Sequence, residues 1–223
     1  MIQISNNQRL IFFDTETTGL STTNGDKIVE IGCVEMINGI ITGEHFHHYI
    51  NPERHIPAEV VKIHGITNEK VKDSPKFHEI AQDFLNFIEG AILIAHNANF
   101  DIKFINHELN LSNLPQLNNI VEDTLKIARI KFPGAPASLD ALCKRFEVDL
   151  TDRSFHGALL DSKLLACVYR KMVLNDQSSI EFNRKNKNLN EKKRPVRPLR
   201  NIGLPTTEEQ KIHSEYIKKH DFV

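Results

Sequence analysis

The chain has 223 residues, 40% hydrophobic and 26% charged, with a formal net charge of −1, the profile of a soluble globular protein with one large domain and a tail. No run approaches the roughly 18 apolar residues of a membrane span, and no basic segment followed by a long apolar one opens the chain, so neither a span nor a secretory signal is expected. Cys33, Cys143 and Cys167 stand far apart without a CxxC pair and read as buried thiols in a reducing cytoplasm rather than as a zinc site.

Charge is unevenly spread. Residues 183–200 carry eight basic side chains and one acidic, residues 201–223 come to −1, and residues 1–182 are left with −7. If the body handles nucleic acid, its acids must be gathered around metals, with basic side chains elsewhere on the contact face.

Taken in order, Arg9 to Phe13 is the first strand, followed by a polar turn at 20–26. A second strand over 28–37 meets Asn38-Gly39, a two-residue hairpin signal, and Ile40 to Ile50 returns antiparallel. Pro52 and Pro57 bracket a loop before a short helix over 58–63. Ser74-Pro75 reads as the start of a helix whose stripe of Phe77, Ile80, Ala81, Phe84 and Ile88 stops at Gly90. The continuously apolar Ala91 to Ala95 reads as a central parallel strand, and Asn99 to Leu109 as a helix after it. Residues 120–125 read as a further strand or as a turn into a helix ending at Ile130. Ser138 caps a helix bearing Leu139, Leu142, Cys143 and Phe146, and 157–174 is a long helix with Leu160, Leu164, Leu165, Val168 and Met172 inward. The fold class is therefore α/β: a mixed sheet with three antiparallel strands plus parallel strands, flanked by helices. Residues 1–176 form the domain, 177–200 a flexible basic linker, and 201–223 a tail with weak helical character.

Three clusters carry chemistry. In DTETTG, the i, i+2 spacing of Asp14 and Glu16 puts two carboxylates on one face of a strand, where they need a cation, a shared proton or open water. The run also reads as a polar turn after an edge strand. His96, Asn97, Phe100 and Asp101 follow the central strand, whose C-terminal end is where an open α/β sheet exposes its site. His156 and Asp161 are five residues apart, about 140° around a helix, so His156 must precede the helix to swing back toward Asp161. Singly, Asp101 reads as a helix N-terminal acid, Asp161 as a solvated helix residue and His156 as a cap. Together, oxygen ligands from three elements suit hard divalent ions, two of them about 4 Å apart forming a clamp for phosphoryl chemistry.

At these residues the chain resembles the DEDD exonucleases, with DxE as first motif, an Asp after a strand as second, and H-x4-D (His156 to Asp161) as third, the histidine branch. The likeness runs from Arg9 to Met172 and includes Phe46, His64-Gly65-Ile66, Phe132-Pro133-Gly134 and the Ser138 to Cys143 run; its density is similar to that of the proofreading epsilon family of bacterial DNA polymerase III. The resemblance implies a ribonuclease-H-like fold and 3′–5′ exonuclease activity releasing 5′-mononucleotides from DNA. It implies two Mg2+ or Mn2+ ions on Asp14, Glu16, Asp101 and Asp161, with His156 as general base. Thr17, His64, His96, Asn97 and Phe100, together with Asp14, Glu16 and Asp161, would line the pocket for the terminal nucleotides. Its partners would be the DNA 3′ end, the polymerase catalytic subunit, the small third core subunit and the sliding clamp, the last through Gln177, Ile180 and Phe182 in the segment 177–182. No membrane partner is implied, and a cytoplasmic location is expected. His45, His47, His48, His55 and His107 fall outside the motifs and read as surface or packing histidines. Two rivals remain: a free-standing exoribonuclease trimming RNA ends, and an adaptor with a vestigial metal cluster. Against the first stand the likeness across the body and the tail; against the second, an acid at every motif position.

Overall fold

Hydrophobic alternation along the first strand decides the architecture. In the computed structural model, which describes residues 8–151, 155–174, 207, 208 and 211, strand β1 (Arg9–Thr17) turns Ile11 and Phe13 to one face and Leu10 and Phe12 to the other. Both sets are almost fully buried, each such side chain contributing about 1.5–3 kcal/mol. A strand apolar on both faces must lie inside its sheet. Accordingly β1 pairs antiparallel with β2 (Ile28–Ile37) and parallel with β4 (Ile92–Ala95). With β3 (Ile40–Tyr49) and β5 (Val121–Asp123) at the edges, the sheet order is β3-β2-β1-β4-β5. This is the expected mixed sheet of three antiparallel strands joined to parallel ones.

Helices cover both faces. On the Ile11–Phe13 side lie α3 (Phe77–Ile88) and α4 (Ala98–Leu111), which supply Phe84, Phe104 and Leu109. On the Leu10–Phe12 side lie α5 (Thr124–Lys131), α6 (Leu139–Arg145) and α7 (Ala158–Tyr169), with Tyr169 edge-on to Phe12 at 5.3 Å. Two short helices, α1 (Ala58–His64) and α2 (Asn68–Val71), seal a smaller cluster of Val29, Ile56, Ile66 and Val71.

Several boundaries differ from the pattern. β1 continues through Asp14 to Thr17, because pairing with β2 runs past the apolar stretch to Glu16 opposite Glu30. α3 starts at Phe77, not at Ser74-Pro75: Glu79 Oε2 accepts the Lys76 N–H at 2.6 Å, while the Pro75 carbonyl accepts from Asn51. The 120–125 stretch is both a strand and, from Thr124, a helix, with Asp123 capping the Leu125 N–H at 2.9 Å. α2 carries too short a pattern to be read, and is started by the Thr67 side chain. α7 ends at Tyr169 and passes into a π-helical turn, Arg170–Leu174. The chain divides into two units, Met1–Glu181 and Phe182–Val223; the segment 177–182, the linker and nearly all of the tail lie outside the described residues.

Candidate active site

The site forms at the C-terminal end of β1, where alternation sends its polar residues to opposite faces. Asp14 and Glu16 continue the Leu10–Phe12 face, which α7 covers, and Thr15 continues the face that α4 covers. From α4, the buried Asp101 reaches β1 through one carboxylate oxygen that accepts both Thr15 N–H (3.0 Å) and Thr15 Oγ1–H (2.7 Å). Asp101 is thus pinned in place by the neighbour of Asp14, close enough for its charge to act on Asp14. Burial pushes the Asp101 pKa up to about 7 against the lowering effect of the Thr15 hydrogen bonds.

On the other face, α7 delivers Asp161 from its first turn, with the Asp161 N–H bonded to Gly157 O at 2.8 Å. His156 stands ahead of the helix, and its Nδ1 lies 3.3 Å from Asp161 Oδ2. A loop position allows this contact where a helical one would not. Ligand atoms of Glu16, His156 and Asp161 all lie within 4.8 Å of one another. Desolvation first, then the carboxylates of Asp101, Glu16, Asp161 and Glu30, hold Asp14 well above the carboxylate range. So many acids converging on one group is the electrostatic demand that a divalent cation satisfies, and a donor set of carboxylate oxygens with one imidazole fits a hard ion such as magnesium or manganese.

The remaining expected residues flank this cluster. Thr17 closes β1 and donates through Oγ1 to Gly19 O at 2.6 Å. His64 ends α1 with Nδ1 accepting the Ile66 N–H at 3.0 Å. Among the described residues its buried Nε2 makes no full hydrogen bond; burial lowers its pKa, outweighing the upward pull of the Thr17 backbone. His96 and Asn97 are held toward β5: His96 Nδ1 lies 2.9 Å from Thr124 Oγ1, and the Asn97 N–H donates to Asp123 Oδ1 at 3.1 Å. Asn97 takes a left-handed conformation, φ 70°, as the strand turns into α4. Phe100 packs against Phe104 with the rings tilted by 43° and their centroids 4.9 Å apart.

Sequence reasoning missed Glu30, Asp123 and Thr124. Glu30 left a signal, an acid inside the apolar run of a central strand; it is 3% exposed. His47, set aside as a surface or packing residue, lies with Nε2 2.7 Å from Glu30 Oε1.

Comparison with known proteins shows what the chain is similar to. A family model described as "Exonuclease" (RNase_T) matches residues 11–169. The chain is 50% identical over 221 residues to the DNA polymerase III subunit epsilon of Rickettsia typhi, covering 95% of this chain and 96% of that one. It is 40% identical to the corresponding subunit of Haemophilus influenzae, over 96% and 91% of the two chains. Among solved structures, exonuclease X in complex with 5′ overhanging duplex DNA superposes with a TM-score of 0.59 at 30% identity, over 74% of this chain and 92% of that one. The nuclease domain of 3′hExo, a DEDDh family member bound to rAMP, superposes with a TM-score of 0.65 at 20% identity, over 77% and 94%, and shares the fold.

Proposed function

The chain belongs to the exonuclease family, in its DNA polymerase III epsilon branch, and from that premise we propose how its site removes a nucleotide from a DNA 3′ end. The protein is a metal-dependent 3′–5′ DNA exonuclease that proofreads for the replicative polymerase. The observation that carries the mechanistic reading is the convergence of Glu16, His156 and Asp161 beside Asp14, with Asp101 anchored by Thr15.

Asp14, Glu16, Asp101 and Asp161 would hold two divalent cations, which would supply charge stabilisation at the scissile phosphate and at the departing 3′ oxygen and lower the cost of deprotonating a water. His156 is assigned as the general base. With its proton on Nδ1 toward Asp161 Oδ2, the ring orients Nε2 to take the proton of the attacking water. Thr15 keeps the Asp101 carboxylate aimed, and the α7 first turn keeps Asp161 and His156 in register with β1. Thr17, His64, His96, Asn97 and Phe100 are assigned to hold the terminal nucleotides. Because recognition rests on phosphate, base preference is small, and a mispaired end is favoured because it frays into the site at lower unstacking cost.

The polymerase catalytic subunit is assigned as a partner because the relatives are named as a subunit of DNA polymerase III. The small third core subunit, the sliding clamp through 177–182 and a polymerase-binding role for 201–223 are carried over from the sequence resemblance alone. No helix among the described residues is long and apolar enough to cross a membrane, and the proposed location is the cytoplasm. Digestion of a 3′-labelled mispaired primer against a paired one, with and without Mg2+ or Mn2+, tests the function. Faster loss of the mispaired end, only with metal, is expected. Metal-independent cleavage, or preference for an RNA 3′ end, overturns the reading and favours the exoribonuclease.

A further inference from the structure

We infer that Glu30, on β2, is a positioning residue for His156: it caps α7 from across the sheet and thereby fixes the loop that carries the base. The inference rests on the assignment of His156 as general base. α7 begins without a cap of its own, since its N-cap residue is Gly157, which has no side chain to accept a free N–H. Glu30 fills the role from 128 residues away in sequence, its Oε2 accepting the Ala158 N–H at 3.1 Å in a buried position. The helix N-terminus favours the negative charge, and His47 Nε2 meets the other oxygen, so the buried carboxylate is held at both atoms.

The peptide so captured, Gly157–Ala158, begins at the residue that follows His156. The His156 N–H donates to Ile63 O at 3.2 Å, and its ring meets Asp161. His156 is therefore fixed from two sides, by α1 at its own N–H and by Glu30 two residues on, whereas Asp161 is held separately, by its N–H bond to Gly157 O within α7. Strand pairing explains why Glu30 is the residue in reach. Glu30 lies opposite Glu16 and Asp14 opposite Gly32, so the cap and the cluster share one face, two residues apart. One of its oxygens serves Ala158 and the other His47, which separates Glu30 from the acids assigned to metal.

A double-mutant cycle between Glu30→Ala and His156→Ala tests the inference. The readouts are kcat and KM on a single-stranded oligonucleotide, with Mn2+ affinity by calorimetry and folding by thermal denaturation. In the parent, Glu30→Ala is expected to lower kcat by about 10–100-fold, the cost of a misplaced base, with KM and Mn2+ affinity nearly unchanged. His156→Ala alone should lose about 10²–10⁴. In that background the added loss from Glu30→Ala should nearly vanish, because the group it positions is gone. Glu30→Gln, whose amide oxygen still accepts from Ala158 and whose NH2 can donate to His47, should stay close to the parent. If Glu30→Ala does not fold, Glu30→Asp carries the cycle, since it keeps the charge but withdraws the oxygen from Ala158. Equal losses in both backgrounds, Mn2+ affinity falling in step with kcat, or Glu30→Gln as impaired as Glu30→Ala each overturn the positioning role. Full activity in His156→Ala overturns instead the assignment of the base.

Discussion

Gly32→Ala is the most exacting perturbation of this site, because it touches no group that could bind metal or substrate. A Cβ on Gly32 would lie 2.2 Å from Leu159 N, 2.4 Å from Ala158 C and 2.5 Å from Leu159 Cα. All three are backbone atoms at the start of α7, and none can rotate away. To restore ordinary contact the helix must retreat from β2 by about 1 Å or more. Ser162 Oγ, which donates to Gly32 O at 2.8 Å, would be stretched by the same movement. Overpacking of this kind costs about 1–3 kcal/mol, and at about 2–4 °C per kcal/mol for a chain of this size the thermal midpoint should drop by several degrees while the protein stays folded. The kinetic effect should be larger. Asp161 and His156 ride on the displaced turn, whereas Asp14 and Glu16 stay on β1, and a displacement of about 1 Å in a catalytic group can cost about 10²-fold in rate. Single-turnover digestion of a short 3′-labelled strand, beside a thermal melt, measures both. A folded Gly32→Ala protein with the parent rate refutes the view that α7's seat on β2 sets the catalytic geometry.

Replacing Asp14 or Asp161 with Ala should abolish hydrolysis and leave the metal-free thermal midpoint undiminished, since each change relieves repulsion among crowded carboxylates; an unchanged rate removes the metal-site assignment. Asp101, at about 7 when folded against 3.8 ordinarily, and Asp14, raised well above its ordinary value, bind more protons in the folded state than unfolded. Metal-free stability should therefore fall as pH climbs from about 4 through about 7, and saturating Mg2+ should flatten the fall; a chelated protein that melts higher at about pH 8 than at about pH 5 contradicts this sign. Truncation after Phe182 should leave digestion of short free DNA nearly unchanged and end co-purification with the polymerase subunit, as expected of a tether that raises local concentration; loss of naked-DNA binding with the polymerase complex intact makes the basic stretch a nucleic-acid arm instead. A peptide of residues 175–184 should bind the sliding clamp weakly and lose that binding on Phe182→Ala, and equal binding by the variant removes the clamp assignment.

Much of the fold is written locally. Asn38-Gly39 specifies the β2–β3 hairpin, and both residues take the positive φ that such a turn requires. The apolar run before His96 and the stripe from Phe77 to Ile88 place a buried strand and its covering helix, because burial on one face or two leaves a periodicity that neighbouring residues alone reveal. Asp14, Glu16, Asp101, His156 and Asp161 were legible for a similar reason: charged residues at the ends of apolar elements need an explanation, and here they recur. The order of approach was not. That Asp101 arrives on the Thr15 face while Asp161 and His156 arrive on the Asp14 face depends on which helix covers which side of β1. Glu30 and Gly32 show the limit most sharply. In sequence they are an acid and a glycine in a strand; in the fold they are the cap and the seat of a helix 128 residues later. Periodicity records which face of an element is buried, whereas the role of a buried charge or a missing Cβ belongs to the neighbour that packs there, and only the closed tertiary structure supplies that neighbour.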